Sequence, residues 1–209
     1  GFNVMSVFAG LGLGGFAFAL AARDTCANLF GSLMILFDRP FKAGDWVVTD
    51  GIEGNVEEIG FRSTRVRTFY DSVVSVPNSV LANASIDNMG SRNFRRIKAY
   101  VGLTYDTPAK KVEAYVEGVK KIILEHPNTR KDYFHVVFNE YADSSLNVLV
   151  YFFLKVPTWT EELKGRQEIF LQMLKLAEEI GVSYAFPTQT VHVESLPNDI
   201  GVKAHENQN

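Results

Sequence analysis

The stretch from Gly1 to Ala22, GFNVMSVFAGLGLGGFAFALAA, contains no Asp, Glu, Lys or Arg. All 21 basic and 24 acidic residues of the 209-residue chain follow it. At ~1.5 Å rise per residue the uncharged run makes a helix of roughly 33 Å, about one hydrocarbon core thick. A secretory signal would carry a basic region before the apolar run and a mature domain after it. Here nothing basic precedes the run, and a second apolar segment follows at once. The stretch therefore reads as a membrane helix, with a buried helix of a soluble core as the alternative. A start at Gly1 rather than Met is what a fragment with further helices upstream would show.

Placing the residues at 100° steps sorts this helix into faces. Ala9, Leu13, Phe16, Leu20 and Arg23 share one face. Gly12, Gly15 and Ala19 lie on one flank of it. Gly10, Ala17 and Ala21 lie on the other, with Gly14 just behind. Small residues let backbones approach closely in a bilayer. Two small-residue flanks suit two neighbours, and a head-to-tail contact of that kind closes into a ring. The face between the flanks would then line an axis, with Phe16 and Leu20 as two apolar collars able to gate by dewetting. A glycine-rich helix that merely packs in a bundle satisfies the same pattern. Gly10-x-Gly12-x-x-Gly15 also matches the dinucleotide fingerprint, which requires a preceding strand that the apolar sequence does not supply.

Arg23 and Asp24 interrupt the apolar sequence, and Asp24 is suited to cap a new helix. The second apolar segment, Cys26 to Phe37, is too short to span a bilayer easily and suits an interfacial helix after a bend. Asp38-Arg39-Pro40 ends it. Arg23, Arg39 and Lys42 at this end favour the cytoplasmic side.

From Gly44 to Pro77 short strands alternate with turn signals: Trp46–Thr49, Asn55–Ile59, Arg62–Phe69 and Val73–Val76, followed by one helical turn from Asn78. This pattern suggests a small all-β barrel of the Sm/SH3-like kind. The remainder reads β-α-β-β-α-β, the ferredoxin-like order. Its strands are Ile97–Tyr105, Phe134–Phe138, Leu146–Val156 and Thr190–Val193. Its first helix has Thr107-Pro108 as N-cap and first turn. Its second runs from Glu161 to Ile180 and ends at Gly181. The expected divisions are 1–23 (spanning helix), 24–40 (interfacial helix), 41–90 (barrel), 91–196 (α+β domain) and 197–209 (tail).

No catalytic or metal-binding constellation appears. His126, His135, His192 and His205 fall in no ligand spacing. Cys26 lacks a neighbouring base and reads as a packed small residue. Glu57-Glu58 and Glu161-Glu162 read as solvated pairs. A single cysteine and a net charge of -3 exclude a disulfide framework and nucleic-acid binding by bulk charge. Arg62, Arg65 and Arg67, then Arg92, Arg95, Arg96 and Lys98, could line an RNA-binding groove with Phe69, Tyr70 and Phe94. They serve equally as salt-bridge partners or as the charged wall of a water-filled vestibule. The chain is read as a non-enzyme with no cofactor.

Asn28-Leu29-Phe30 with Phe37-Asp38-Arg39-Pro40-Phe41-Lys42-Ala43-Gly44-Asp45-Trp46 resembles the MscS-like mechanosensitive channel family. So do Gly54-Asn55-Val56-Glu57-Glu58-Ile59-Gly60, Val76-Pro77-Asn78-Ser79 and Asp143-Ser144-Ser145-Leu146-Asn147. Ala22-Arg23-Asp24 and Ala185-Phe186-Pro187-Thr188-Gln189-Thr190 look closest to its low-conductance YnaI-type branch. The resemblance implies a homoheptamer in the bacterial inner membrane, opened by tension, with soluble domains in the cytoplasm and membrane lipids and permeant ions as its partners. It implies pore rings at Phe16 and Leu20 and packing positions at Ala9, Gly12, Gly15, Ala17 and Ala19. Two departures stand out. Asp24 occupies a bend where many members have glycine, and Phe16 a ring where Leu is usual. The alternatives are a membrane-tethered RNA- or partner-binding protein, or a ligand-gated channel of the same architecture.

Overall fold

The computed structural model describes residues 4–188. The expected strand Thr190–Val193, the tail 197–209, His192 and His205 lie outside the described residues. Two compact units divide after Asn93.

The first unit opens with α1 (Val4–Asp38), one helix of 35 residues. The expected break at Arg23-Asp24 is absent. No Gly or Pro stands between Gly15 and Gly31, so nothing forces the backbone out of the helix there. Asp24 sits mid-helix, where the N–H groups it was expected to cap are already bonded. The helix ends at Arg39, whose φ of 48° leaves the helical region just before Pro40.

Five strands follow: β1 (Trp46–Thr49), β2 (Ile52–Ile59), β3 (Ser63–Thr68), β4 (Val73–Pro77) and β5 (Asp87–Asn88). The short helix α2 (Asn78–Leu81) lies between β4 and β5. All the pairings are antiparallel, in the order β4-β3-β2-β1-β5. Asp50 and Gly51, both at positive φ (41° and 80°), make the two-residue β1–β2 turn and fix Thr49 opposite Ile52. One side of the sheet is buried. Val47, Val56, Val66 and Val76 alternate inward and meet Ile35 of α1, Phe41 and Leu81. Among the described residues no ladder joins β4 to β5, so the expected barrel is seen as a five-stranded sheet with a single core.

The second unit contains β6 (Arg95–Leu103), α3 (Ala109–Glu125), β7 (His135–Tyr141), β8 (Leu146–Leu154) and α4 (Trp159–Ile180). The sheet order is β6-β8-β7, with Ile97 opposite Phe152 and Val136 opposite Val150. The strict alternation of β8 buries Leu146, Val148, Val150, Phe152 and Leu154 against Tyr115, Val119, Ile123, Ile169 and Met173 of the two helices. These elements match the first five of the expected β-α-β-β-α-β order. The chain after α4 then turns onto the far edge of β6. Thr104 N–H donates to Ser183 O, and Ala185 N–H to Gly102 O. In that register Pro187 falls opposite Tyr100, and with no N–H it cannot extend the ladder.

The helix ends differ in detail from the sequence reading. Pro108, not Thr107, is the N-cap of α3, and the Thr107 hydroxyl bonds Thr104 instead. Helix α4 starts earlier than expected, through a capping box between Thr158 and Glu161. Gly181, at φ 71°, ends it as expected.

Candidate pore helix and its anchor

Helix α1 has two halves of unlike surroundings. From Val4 to Ala21 every residue is exposed. Phe16 is 66% and Leu20 56% exposed, one turn apart on the same face. Leu13 and Ala9 continue that face upward and Arg23 downward. A Cβ placed on Gly10, Gly12, Gly14 or Gly15 would meet nothing within 4 Å. The small-residue flanks, completed by Ala17, Ala19 and Ala21, are thus open surfaces within one chain. An exposed apolar helix of this length is stable only against lipid or other protein. The Gly10–Gly15 fingerprint lies wholly inside the helix, so it forms no phosphate-binding turn.

The lower half is fastened to the sheet. Asn28, Gly31 and Ile35, spaced i, i+3, i+7, are its buried positions, with Ser32 between them. Ile35 enters the valine core. Gly31 lets the backbone of Asn78 and Ser79 approach, since a Cβ there would lie 2.6 Å from Asn78 C and O. Asn28 Oδ1 accepts from Ser79 N–H at 3.1 Å, while Asn28 Nδ2 donates to Asp24 O at 2.9 Å. Asn78 is fully buried. Its Nδ2 donates to Ser32 Oγ and to Gly60 O, both at 2.8 Å, and its Oδ1 accepts from Thr64 Oγ1 at 2.8 Å. Its N–H donates to Arg62 O at 2.9 Å. The Ser32 hydroxyl also lies against Phe61 O. Every polar group of Asn78's side chain is therefore paired, as a buried amide requires.

The sequence motifs NLFGS (28–32) and VPNS (76–79) meet here, yet sequence reading gave them no physical role. The legible signal was Asn28, Gly31 and Ser32 on one face of an otherwise apolar helix.

Other candidates resolve as structural. Arg67 is held between Glu57 and Asp71, and Arg65 faces Glu58 at 3.6 Å, so the Glu57-Glu58 pair is bridged rather than merely solvated. Glu162 is likewise not solvated: it pairs with Arg95 at 3.2 Å in a largely buried site, where Arg95 also donates to Val156 O and Pro157 O. Arg92 stacks on the Trp46 ring at 4.9 Å. Arg65, Arg67, Arg92 and Arg95 are thus engaged within their own units. His126 is buried, with Nε2 against Glu168 at 3.1 Å, and His135 packs on Tyr133. Cys26 is exposed, not packed. Among the described residues no cluster of three or more metal-ligating side chains forms.

Three comparisons bear on this arrangement. The family model for the mechanosensitive ion channel beta-domain matches residues 24–91, and that for the C-terminal domain of the MscS channel matches residues 97–184. The small-conductance mechanosensitive channel MscMJ of Methanocaldococcus jannaschii is 43% identical over 93% of this chain and 55% of its own length. The low conductance mechanosensitive channel YnaI of Escherichia coli is 39% identical over 88% of this chain and 54% of its own. The chain thus spans about half the length of these curated relatives. The closed-state crystal structure of Helicobacter pylori MscS superposes with a TM-score of 0.78 at 24% identity, over 94% of this chain and 76% of that one. At that identity it supports the fold alone.

Proposed function

We propose, from the premise that this chain belongs to the MscS-like mechanosensitive channel family, that it is the pore-forming part of an ion channel opened by membrane tension. The observation that carries the reading is the contrast along α1, bare and apolar above Ala22, bolted to a soluble sheet below Asn28. A single helix of that kind cannot enclose a path. Several copies packed through Gly12, Gly15 and Ala19 on one flank and Gly10, Gly14, Ala17 and Ala21 on the other enclose one, with Ala9, Leu13, Phe16, Leu20 and Arg23 facing it.

Phe16 and Leu20 then form the constriction. Water leaves a narrow apolar collar, and ions that must stay hydrated cannot follow. Tension favours whichever state occupies more membrane area, since only a differential interaction moves an equilibrium. In the wider state the helices tilt and slide on their small-residue flanks. Arg23, one per copy, sets a ring of positive charge where the pore meets water, with Asp24 beside it. Such a ring biases the choice of ions.

The family supports a homo-oligomer, with seven copies as our reading, in contact with lipids and permeant ions. We place it in the bacterial inner membrane with the soluble units in the cytoplasm, where it would relieve pressure on osmotic downshock. Neither an enzymatic role nor nucleic-acid binding is part of the proposal. The test is single-channel recording from the purified chain in a defined bilayer under suction. Pressure-dependent current is expected, and its absence in an assembled, membrane-inserted preparation overturns the proposal.

A further inference from the structure

Three segments of the second unit converge at one end of its sheet, where Leu103 and Tyr141 both lie opposite Leu146. They are Thr104-Tyr105 leaving β6, Asp143-Ser144 in the β7–β8 turn, and the chain after α4 at 185–188. Together they line a groove of about 330 Å³. Each wall is fastened by its own hydrogen bonds. The Tyr105 hydroxyl donates to Ala142 O, and Ala142 N–H donates to Ser145 O at 2.8 Å, which closes the turn. The bonds from Thr104 N–H to Ser183 O and from Ala185 N–H to Gly102 O hold the third wall against β6. Thr188 Oγ1 donates to Phe186 O at 3.0 Å. The groove is therefore formed before any ligand enters it.

Three side chains remain available. The rings of Tyr105 and Phe186 line the groove, yet they are 51% and 80% exposed. Asp143 is exposed as well, and among the described residues its carboxylate meets no cation and no hydrogen-bond donor. Glu140, the other carboxylate of this hairpin, already accepts from Asn147. No basic residue lines the groove.

Two aromatic rings around one unopposed carboxylate select a particular kind of ligand. An anion would meet Asp143 with no counter-charge. A hard metal ion needs several oxygen ligands and gains little from rings. A quaternary ammonium spreads its charge over apolar methyl groups, so it can rest on aromatic rings, which attract it through their quadrupole. The carboxylate then supplies the counter-charge, and the Ser144 hydroxyl at the rim suits a polar remainder. We propose that this groove binds a small organic cation of the quaternary ammonium class, with Asp143 as counter-charge and Tyr105 and Phe186 as its aromatic walls. The inference does not depend on the channel reading, because binding is measured without current.

The test uses choline as the probe and the full chain in maltoside micelles. Binding is read by saturation-transfer NMR along a titration at constant ionic strength, with potassium replacing choline. Saturable binding near ~1 mM is expected from one carboxylate and two rings. Asp143→Asn should weaken it about 10-fold, and Phe186→Leu, which stays apolar but loses the ring, about 5-fold. Tyr70→Leu removes an equally exposed ring of the first unit and should leave binding unchanged. The absence of saturable binding overturns the inference. So does binding that D143N and F186L leave intact, or that potassium displaces as well as choline does. Micelles with phosphocholine head groups should displace choline no better than free phosphocholine at the same concentration. Displacement by the micelles alone gives the groove to a lipid and overturns the solute.

Discussion

Replacing Gly31 by Ala adds one methyl group where α1 crosses the Asn78–Ser79 backbone. The new Cβ would lie 2.6 Å from Asn78 C and O and 2.8 Å from Ser79 N. Ordinary carbon contacts begin near ~3.4 Å, so the helix must retreat by about 0.8 Å, and the obstacle is backbone that cannot rotate away. That retreat stretches the 3.1 Å bond from Ser79 N–H to Asn28 Oδ1 to about 3.9 Å, beyond hydrogen-bonding range. It also loosens Asn78 Nδ2 from Ser32, leaving a fully buried amide short of one acceptor. A lost bond costs about 1 kcal/mol and a stranded buried polar group about 1–3 kcal/mol. Alanine's better helix propensity returns about 1 kcal/mol. The net expectation is destabilisation of about 1–3 kcal/mol, comparable to other overpacked sites. Urea unfolding followed by the fluorescence of Trp46, in the sheet, is the assay. The parent chain is the reference, since alanine's helix propensity is already counted above. If G31A is as stable as the parent, the anchor does not hold as described.

Three further outcomes follow from other sites. Leu20→Ser should hydrate the lower collar and lower the tension for opening in patch recordings; an unchanged threshold removes Leu20 from the gate. Glu162→Ala removes the carboxylate beside the largely buried Arg95, which keeps its bonds to Val156 O and Pro157 O, and should cost about 3 kcal/mol by denaturant unfolding, with R95M/E162L recovering part of it. Burial and its bond to Tyr184 push the Tyr115 hydroxyl well above the ordinary tyrosine value. Because the folded state holds this proton more tightly than the unfolded one, the associated stability is intact below pH ~10 and falls as pH rises beyond it. Tyr115→Phe should flatten that alkaline decline in a pH series of thermal melts; an identical slope refutes it.

The sequence made most elements legible because their patterns are local. Alternating valines mark β1 to β4, and the strict alternation in β8 marks a strand with one buried face. Gly181 marks the end of α4. Asp24 was misread for a physical reason. An aspartate beside an arginine looks like a cap, but capping needs unbonded N–H groups, and whether a helix stops is decided by the backbone on both sides. The role of Asn78 was hidden because its four partners, Ser32, Gly60, Arg62 and Thr64, are brought to it by the sheet and by α1. Cys26 was expected to pack because small residues usually do, yet it lies on the turn before the anchored face begins. Glu57 and Glu162 looked solvated because their arginine partners come from other strands or from distant sequence.

The uninterrupted course of α1 makes it a lever. The clamp from Asn28 to Ile35 spans about 10 Å of axis, while Phe16 lies about 18 Å above its upper end. A small rotation at the clamp therefore becomes a displacement roughly twice as large at Phe16 as across the clamp itself. The same rigidity works downward: a push at Phe16 turns the clamp, and with it the Pro77–Ser79 corner that ends β4. A chain with a hinge at residue 24 would absorb such a turn. This one transmits it, so strain at Phe16 and strain in the sheet are one mechanical quantity.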